Sequence, residues 1–345
     1  MFKHTFIALL GLTSAAAAQP AATPAATAQA PAPPPTCVLP KIAATAPLEQ
    51  LPGGLMTVPV AINGKTKQFL LDIGINKATE ISPAAMAELA LPEDTALTRT
   101  GAPYGVYDVN SGLGSWVLDT HVRVNSFGIG SATGRHLEFI VTKKGEIARS
   151  APYAGFLSGD FFSQYDVELN FAKKQMIWLT QTECTDPNQV VFWPHSEVAI
   201  MPVSLAKDGR LQMQAMIKGH LINAEIDTSS ARTVMRRDIA ELYVGLADKD
   251  MMPVGDLEDG MNMQVYVSTF PQIIFAGGGI TALNVPVLIQ DYSMRRDVNR
   301  RFVLGTRAQV AEDRIPDLVI GMDVLHNLHL YVVPGQGRVY ATSAE

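Results

Sequence analysis

The chain has 345 residues, 27 of them basic and 33 acidic, which gives a formal net charge of −6. No basic stripe alternates with aromatic residues, so the composition argues against a nucleic-acid-binding protein. The two cysteines lie too far apart for the paired-ligand spacing of zinc sites, so no metal is predicted.

The first eighteen residues have the pattern of a secretory signal peptide. Lys3 precedes a short apolar run, Phe6–Leu12, and small residues continue to Ala18. The apolar run is too short to cross a bilayer, so no stable membrane span is predicted. Residues 19–45, rich in Ala and Pro, are predicted to form a linker. The mature chain is therefore expected in the periplasm or outside the cell.

A β-hairpin followed by an acidic residue is predicted next. Thr57–Ile62 and Lys67–Leu71 have the composition of strands, and Asn63-Gly64 between them is typical of a type I′ turn. Asp72 directly follows the apolar end of the second strand.

A short helix is predicted to follow this hairpin. Ser82 is placed as its N-cap and Pro83 as its first residue. Further strand patterns occur at His121–Val124, Leu137–Val141, Tyr165–Leu169 and Gln175–Leu179.

The same order of features returns later in the chain. Asp227 lies 155 positions after Asp72, and each aspartate has a glycine eight positions before it, Gly64 and Gly219. A second helix is predicted over Asp238–Leu246, and strands over Leu211–Ile217, Leu221–Ile226, Val285–Ile289 and Leu328–Val333. Many short strands, few helices and regular turns predict an all-β protein.

The repeat divides the chain into two predicted lobes. The N-terminal lobe is expected over residues 46–185, a connector over 186–197 and the C-terminal lobe over 198–345. Cys37 and Cys184 lie at the two ends of the first repeat. An even cysteine count in an exported protein predicts a disulfide, with two free thiols as the alternative.

Two further repeated patterns have structural interpretations. Asp160 and Asp323 occupy matching places in the two copies and are predicted to be structural hydrogen-bonding residues. His326 and His329 could face together on one helical turn, but the sequence offers no third zinc ligand.

These motifs resemble those of the retropepsin-like aspartic proteases. The resemblance covers residues 55–180 and 200–342 and rests on the strand, Asp-x-Gly, short helix, Gly-rich hairpin and the later apolar-Gly segment, here Leu318–Leu325. Two copies in one chain are similar to the bilobal, pepsin-like arrangement. The resemblance implies two closed β-barrel lobes, each with a short helix, facing each other across a cleft.

The resemblance assigns roles to five residues. Asp72 and Asp227 match the catalytic aspartates, Gly74 the motif glycine and Thr228 the motif hydroxyl residue. Gly321 matches the glycine that packs behind the aspartate loop. In the family, one hydroxyl from each lobe bonds to the other lobe and keeps the carboxylates in register.

Three positions depart from the family pattern. Ile73 stands where Thr or Ser is expected, Ser229 where Gly is expected, and Ser158 opposite Gly321. Ile73 can neither donate nor accept a hydrogen bond through its side chain. These departures leave two functions open, and they threaten the register that catalysis requires.

The first function is an exported aspartic endopeptidase, acting as a monomer on a peptide or unfolded protein in the cleft, with no cofactor. One carboxyl group would hold a proton while the charged one activates water. The alternative is a catalytically impaired peptide-binding or structural envelope protein on the same fold.

Overall fold

The computed structural model describes residues 37–74, 78–100, 104–108, 114–118, 120–142, 147–148, 150–159, 161–162, 164–205, 210–256, 264–290 and 316–344. The predicted signal peptide, most of the predicted linker, and Asp160 lie outside the described residues.

Strands dominate the described chain. In the first half they are Ile42–Pro47 (β1), Glu49–Gln50 (β2), Met56–Ile62 (β3), Lys65–Leu71 (β4), Glu80–Ile81 (β5), Tyr104–Asp108 (β6), Gly114–Leu118 (β7), His121–Ile129 (β8), Ala132–Val141 (β9), Gly155–Leu157 (β10), Asp166–Asn170 (β11) and Gln175–Leu179 (β12). In the second half they are Ala199–Pro202 (β13), Ser204–Leu205 (β14), Leu211–Ile217 (β15), His220–Ile226 (β16), Val234–Arg236 (β17), Met252–Asp256 (β18), Gln264–Phe275 (β19), Thr281–Gln290 (β20), Leu318–Ile320 (β21), Leu328–Val333 (β22) and Arg338–Ser343 (β23).

Two closed six-stranded barrels are formed, as predicted. The first barrel has the strand order β3-β4-β10-β5-β9-β8 and closes by pairing of β3 with β8. The second barrel has the order β15-β16-β21-β17-β20-β19 and closes by pairing of β15 with β19. Corresponding strands occupy corresponding places in the two barrels, so the sequence repeat is also a structural repeat.

The hairpin turns follow from residues that accept positive φ. Asn63 and Gly64 have φ of 48° and 82°, and Lys218 and Gly219 have φ of 50° and 84°. Two successive positive φ values define the type I′ turn, whose twist matches that of the flanking strands. The prediction at Asn63-Gly64 is therefore confirmed, and the second copy uses the same turn.

The α-helices are short, over Pro83–Glu88, Thr95–Thr100, Pro187–Val190, Arg237–Leu242 and Met322–Leu325. The first begins as predicted, because the Ser82 side chain accepts a hydrogen bond from the Ala85 N–H. The prediction of a helix to Leu246 is wrong, since the helix ends at Leu242. Gly245, with φ of 69°, turns the chain just beyond that end.

A third sheet joins the two halves of the chain, and the sequence did not predict it. This junction sheet has the order β1-β12-β11-β22-β23-β13. Its centre is the antiparallel pairing of β11 with β22, in which Glu168 lies opposite Tyr331. One face packs on the main core through Val167, Leu169 and Leu330. The other face is covered by the segment of residues 180–198.

The C-terminal end of the predicted linker forms part of a β-strand. Strand β1 begins at Ile42, inside the predicted 19–45 region, and Ala44 and Ala46 are buried against the core. Cys37 and Cys184 form a disulfide across 147 positions, as predicted. The bridge attaches Cys37, the first described residue, to the segment that covers the junction sheet.

Within the described residues, no helix is both long enough and apolar enough to cross a bilayer.

Candidate active site

Asp72 and Asp227 occupy the same place in their respective barrels. Each follows the second strand of a hairpin, β4 or β16, which pairs in parallel with a strand from later in the chain. The backbone N–H of Asp72 donates to the Leu157 carbonyl at 2.9 Å, and that of Asp227 donates to the Ile320 carbonyl at 3.0 Å. Both aspartates are buried, at 1% and 0% exposure. The barrel cores therefore fix the backbone of both acidic residues.

The two aspartate loops touch each other. A Cβ built on Gly74 would lie 2.2 Å from the Ile226 carbonyl oxygen and 2.5 Å from the Cα of Asp227. A real Cβ atom could not lie this close to backbone atoms, so the loops can approach this closely only because residue 74 is glycine. The structure thus brings Gly74 of the first loop against Asp227 of the second.

Thr228 connects the loops by two hydrogen bonds. Its hydroxyl donates to the Leu71 carbonyl at 2.8 Å and accepts from the Ile73 N–H at 3.1 Å. Both bonds are buried, so they are shielded from competition with water. The repeat would place the reciprocal hydroxyl at position 73, where Ile73 is 5% exposed. Its apolar side chain cannot make the matching bonds, so one side of the paired contact is missing.

Both carboxylates accept hydrogen bonds from their own loops. The Gly74 N–H donates to Asp72 Oδ1 at 3.1 Å, and the Ser229 N–H donates to Asp227 Oδ1 at 2.7 Å. These two bonds occupy matching positions in the repeat. They fix one oxygen of each carboxylate in the same way in both loops.

Both departing serines, Ser158 and Ser229, also contact the carboxylates. The Ser229 hydroxyl donates to Asp227 Oδ1 at 2.7 Å, and the Ser230 N–H donates to the same oxygen at 3.2 Å. The Ser158 hydroxyl lies 3.5 Å from Asp72 Oδ2, a long hydrogen bond. Several donors on one oxygen stabilise negative charge there. Asp227 Oδ1 therefore accepts three hydrogen bonds from its own loop.

Gly321 packs closely against the chain that follows Asp227. A Cβ at this position would lie 2.4 Å from the Arg232 carbonyl oxygen. The Gly321 N–H donates to Thr233 Oγ1 at 3.2 Å, and the N–H of Met322 donates to the Ser230 carbonyl at 2.8 Å. Asp323 accepts from the N–H and hydroxyl of Thr233 at 3.0 and 2.7 Å, which is the structural role predicted for it.

Sequence reasoning missed the threonines that support the two loops. The Ser158 N–H donates to Thr79 Oγ1 at 3.2 Å, matching the bond from Gly321 to Thr233 in the second copy. Both threonines are fully buried. A threonine six or seven residues after each aspartate was a recurring signal in the sequence that could have revealed them.

Among the described residues, no group of three or more His, Cys, Asp or Glu side chains could hold a metal ion. His326 and His329 do not share a helical turn, because His329 lies on β22. His326 Nδ1 lies 2.6 Å from the Met322 carbonyl oxygen.

Comparison with known proteins gives a match in structure only. No family model and no curated protein sequence matches the chain. Basic 7S globulin from soybean matches with a TM-score of 0.50 and 11% identity over 88% of this chain and 96% of that chain. Conglutin gamma, a basic 7S globulin from lupine seeds, matches with a TM-score of 0.50 and 12% identity over 88% and 95%.

The likeness to these two structures shows the fold, a bilobal pepsin-like arrangement of two barrels. At 11–12% identity it shows nothing further about activity.

Proposed function

We propose that this protein binds peptides without cleaving them efficiently, using the paired loops of Asp72 and Asp227 on a pepsin-like fold. The observation that carries the proposal is Ile73, a buried apolar side chain where the repeat calls for a hydroxyl. Thr228 makes two side-chain hydrogen bonds across the loops, and Ile73 cannot make the reciprocal ones.

The chemistry of an aspartate pair is sensitive to this loss. One carboxyl group must hold a proton and the other must take one from water, so both need a shared, fixed geometry. A catalytic group must be held to within roughly 0.5 Å, and misplacement by about 1 Å can reduce a rate about 100-fold. Because the Thr228 contact has no reciprocal contact from Ile73, the aspartate pair is better suited to binding a peptide than to hydrolysing it.

Two more observations support this proposal. Ser229 puts a hydroxyl on Asp227 Oδ1, which adds a third donor to one oxygen and favours a fixed negative charge. Two solved structures of similar fold are named as basic 7S globulins. A structural envelope role would use the same fold without a peptide ligand.

An exported aspartic endopeptidase is the second candidate. It is favoured by the matching bonds from Gly74 to Asp72 and from Ser229 to Asp227. In that reaction the charged aspartate would remove a proton from water as the water attacks the peptide carbonyl. The protonated aspartate would donate its proton to the carbonyl oxygen.

We also propose that the protein is exported, that it is a monomer, and that its lobes end at residue 185 and begin again at residue 198. Export to the periplasm or the medium is supported by the Cys37–Cys184 disulfide, since such bonds persist in oxidising compartments. The signal-like N-terminal sequence supports it as well.

The experiment measures binding and cleavage of one peptide library by the mature chain between pH 3 and pH 6. The control is the Asp72→Asn, Asp227→Asn double variant. Saturable binding that weakens in the double variant, without cleavage by either protein, is the expected result. Cleavage that the double variant lacks would overturn the proposal in favour of the endopeptidase. Absence of both binding and cleavage would favour the structural role.

A further inference from the structure

A cluster of buried polar side chains lies where the two halves of the chain meet. Asp166 and Glu168 on β11 face His329 and Tyr331 on β22, on the side of the junction sheet covered by residues 180–198. All four side chains are at most 5% exposed. Buried ionisable groups are costly unless they are well paired, so their partners decide what this cluster does.

Asp166 connects three parts of the molecule. Its Oδ2 accepts from the Tyr331 hydroxyl at 3.2 Å and from the Thr182 N–H at 2.8 Å. Tyr331 belongs to the second half of the chain and Thr182 to the covering segment. Within the described residues, Asp166 Oδ1 is buried and has no hydrogen-bond partner. A charged Asp166 is therefore only half satisfied.

Glu168 makes a parallel set of contacts. Its Oε1 lies 2.8 Å from His329 Nε2, and the His329 ring stacks on Trp193 of the covering segment at a centroid distance of 3.7 Å. His329 Nδ1 lies 3.4 Å from the Asn170 side-chain nitrogen. Within the described part of the chain, Glu168 thus has a basic partner, whereas the donors to Asp166 are neutral.

Among the described residues, the ionisable groups on β23 bond to other partners and not to Asp166. On β23, the Tyr340 hydroxyl donates to Gln336 Oε1 at 2.8 Å, and Arg338 Nη1 lies 3.5 Å from that hydroxyl. Burial raises the pKa of Tyr331, and the charge on Asp166 raises it further, so Tyr331 stays a hydroxyl donor. Burial also raises the pKa of Asp166 to about 6, against the opposing effect of its two donors.

We propose that Asp166 is a proton-operated latch of the junction sheet, which holds β11 on β22 when its carboxyl group is neutral and loosens when it is charged. Thr182 and Tyr331 donate to the charged group and reduce the cost of burying it. Among the described residues Oδ1 has no partner, so that cost is not cancelled. In the unfolded chain Asp166 releases its proton at its ordinary pKa near 3.8. Between that value and about 6 the folded chain keeps a proton that the unfolded chain has lost. The stabilisation is therefore full in acid, falls as pH rises through this window and is constant above it.

The latch lies in the sheet that both halves of the chain build. Loosening it frees the covering segment and the central strand pair of the junction sheet, while each barrel keeps its own closed hydrogen bonding. An acidic medium therefore favours a rigid junction between the barrels. This inference does not depend on whether the aspartate pair cleaves or binds peptides.

Amide hydrogen exchange of β11 and β22 between pH 4 and pH 7, corrected for intrinsic rates, tests the latch. The quantity compared is the ratio of the protection factor in the unmodified protein to that in Asp166→Asn at the same pH. This ratio should fall by up to about tenfold for each pH unit and level off near pH 6. Asp166→Asn, which is neutral at every pH, removes this component. Glu183→Gln, an exposed carboxylate on the same segment, is the matched control and should keep the full pH dependence.

A second variant covers the case that Asp166→Asn does not fold. Tyr331→Phe removes a donor from charged Asp166, so the pH at which protection levels off should move upward. His329→Gln should leave the response in place. The proposal is overturned if protection in the unmodified protein does not change with pH. It is equally overturned if the response persists in Asp166→Asn, or disappears in His329→Gln alone.

Discussion

The hydroxyl of Thr228 and the missing side chain of Gly74 hold the two aspartate loops together. Thr228 bonds to the backbone on either side of Asp72, and Gly74 lies directly against Ile226 and Asp227. Both roles were implied by the family resemblance, in which Gly74 matches the motif glycine of the first copy and Thr228 the motif hydroxyl residue of the second. The contacts of Ser158 and Ser229 could not be assigned. The family has glycine at these positions, and glycine has no side chain whose contacts could be carried over.

Restoring the family residues tests the role of the departures. Ile73→Thr combined with Ser229→Gly should raise the rate of peptide cleavage at acidic pH by about 100-fold or more, because the loops regain a second cross-contact. Turnover of a fluorogenic peptide library measures this. Ile73→Val with Ser229→Gly, which restores no hydroxyl, is the control. An equal gain in both variants, or no gain in either, would show that Ile73 does not limit the chemistry.

Gly74 gives a prediction about stability. Gly74→Ala should lower the free energy of unfolding by about 1–3 kcal/mol, because its Cβ would overlap the backbone of the opposite loop. Urea denaturation measures the change. Gly335→Ala is the matched control, as nothing lies within 4 Å of a Cβ there. Similar small effects for both variants would contradict the close approach of the loops.

At the scale of elements, local chemistry made the hairpins and helix starts predictable. Asn63-Gly64 forms the expected turn and Ser82 the expected cap. The helix after Arg236 was predicted too long, because its apolar pattern continues past the point where Gly245 turns the chain. The junction sheet was not predictable, since β11 and β22 lie about 160 positions apart and pair without a local signal.

The disulfide is the covalent link of this region. Replacing both Cys37 and Cys184 by Ser should cost about 2–5 kcal/mol of stability, because the bridge closes a loop of 147 positions in the unfolded chain. Urea denaturation of the variant, and of the unmodified chain with and without reductant, measures this. Reduction should leave the double variant unchanged. Equal stability of the oxidised and reduced chains would contradict a structural role for the bridge.

At the scale of the whole molecule, the repeat in the sequence predicted the architecture. Two hairpins, each ending in an aspartate 155 positions apart, become two closed barrels with the same strand order. The sequence did not reveal that strands from the end of each repeat build a common sheet. That sheet carries a second set of buried carboxylates, Asp166 and Glu168, on a strand that belongs to neither barrel.

The pairing of Asp72 with Asp227 is the claim on which both candidate functions depend. A crystal structure of the mature chain, at a resolution that shows ordered water, tests it directly. The nearest oxygens of the two carboxylates should both lie within hydrogen-bonding distance of one shared water molecule. Carboxylate oxygens more than about 6 Å apart, each with separate water, would contradict a shared site.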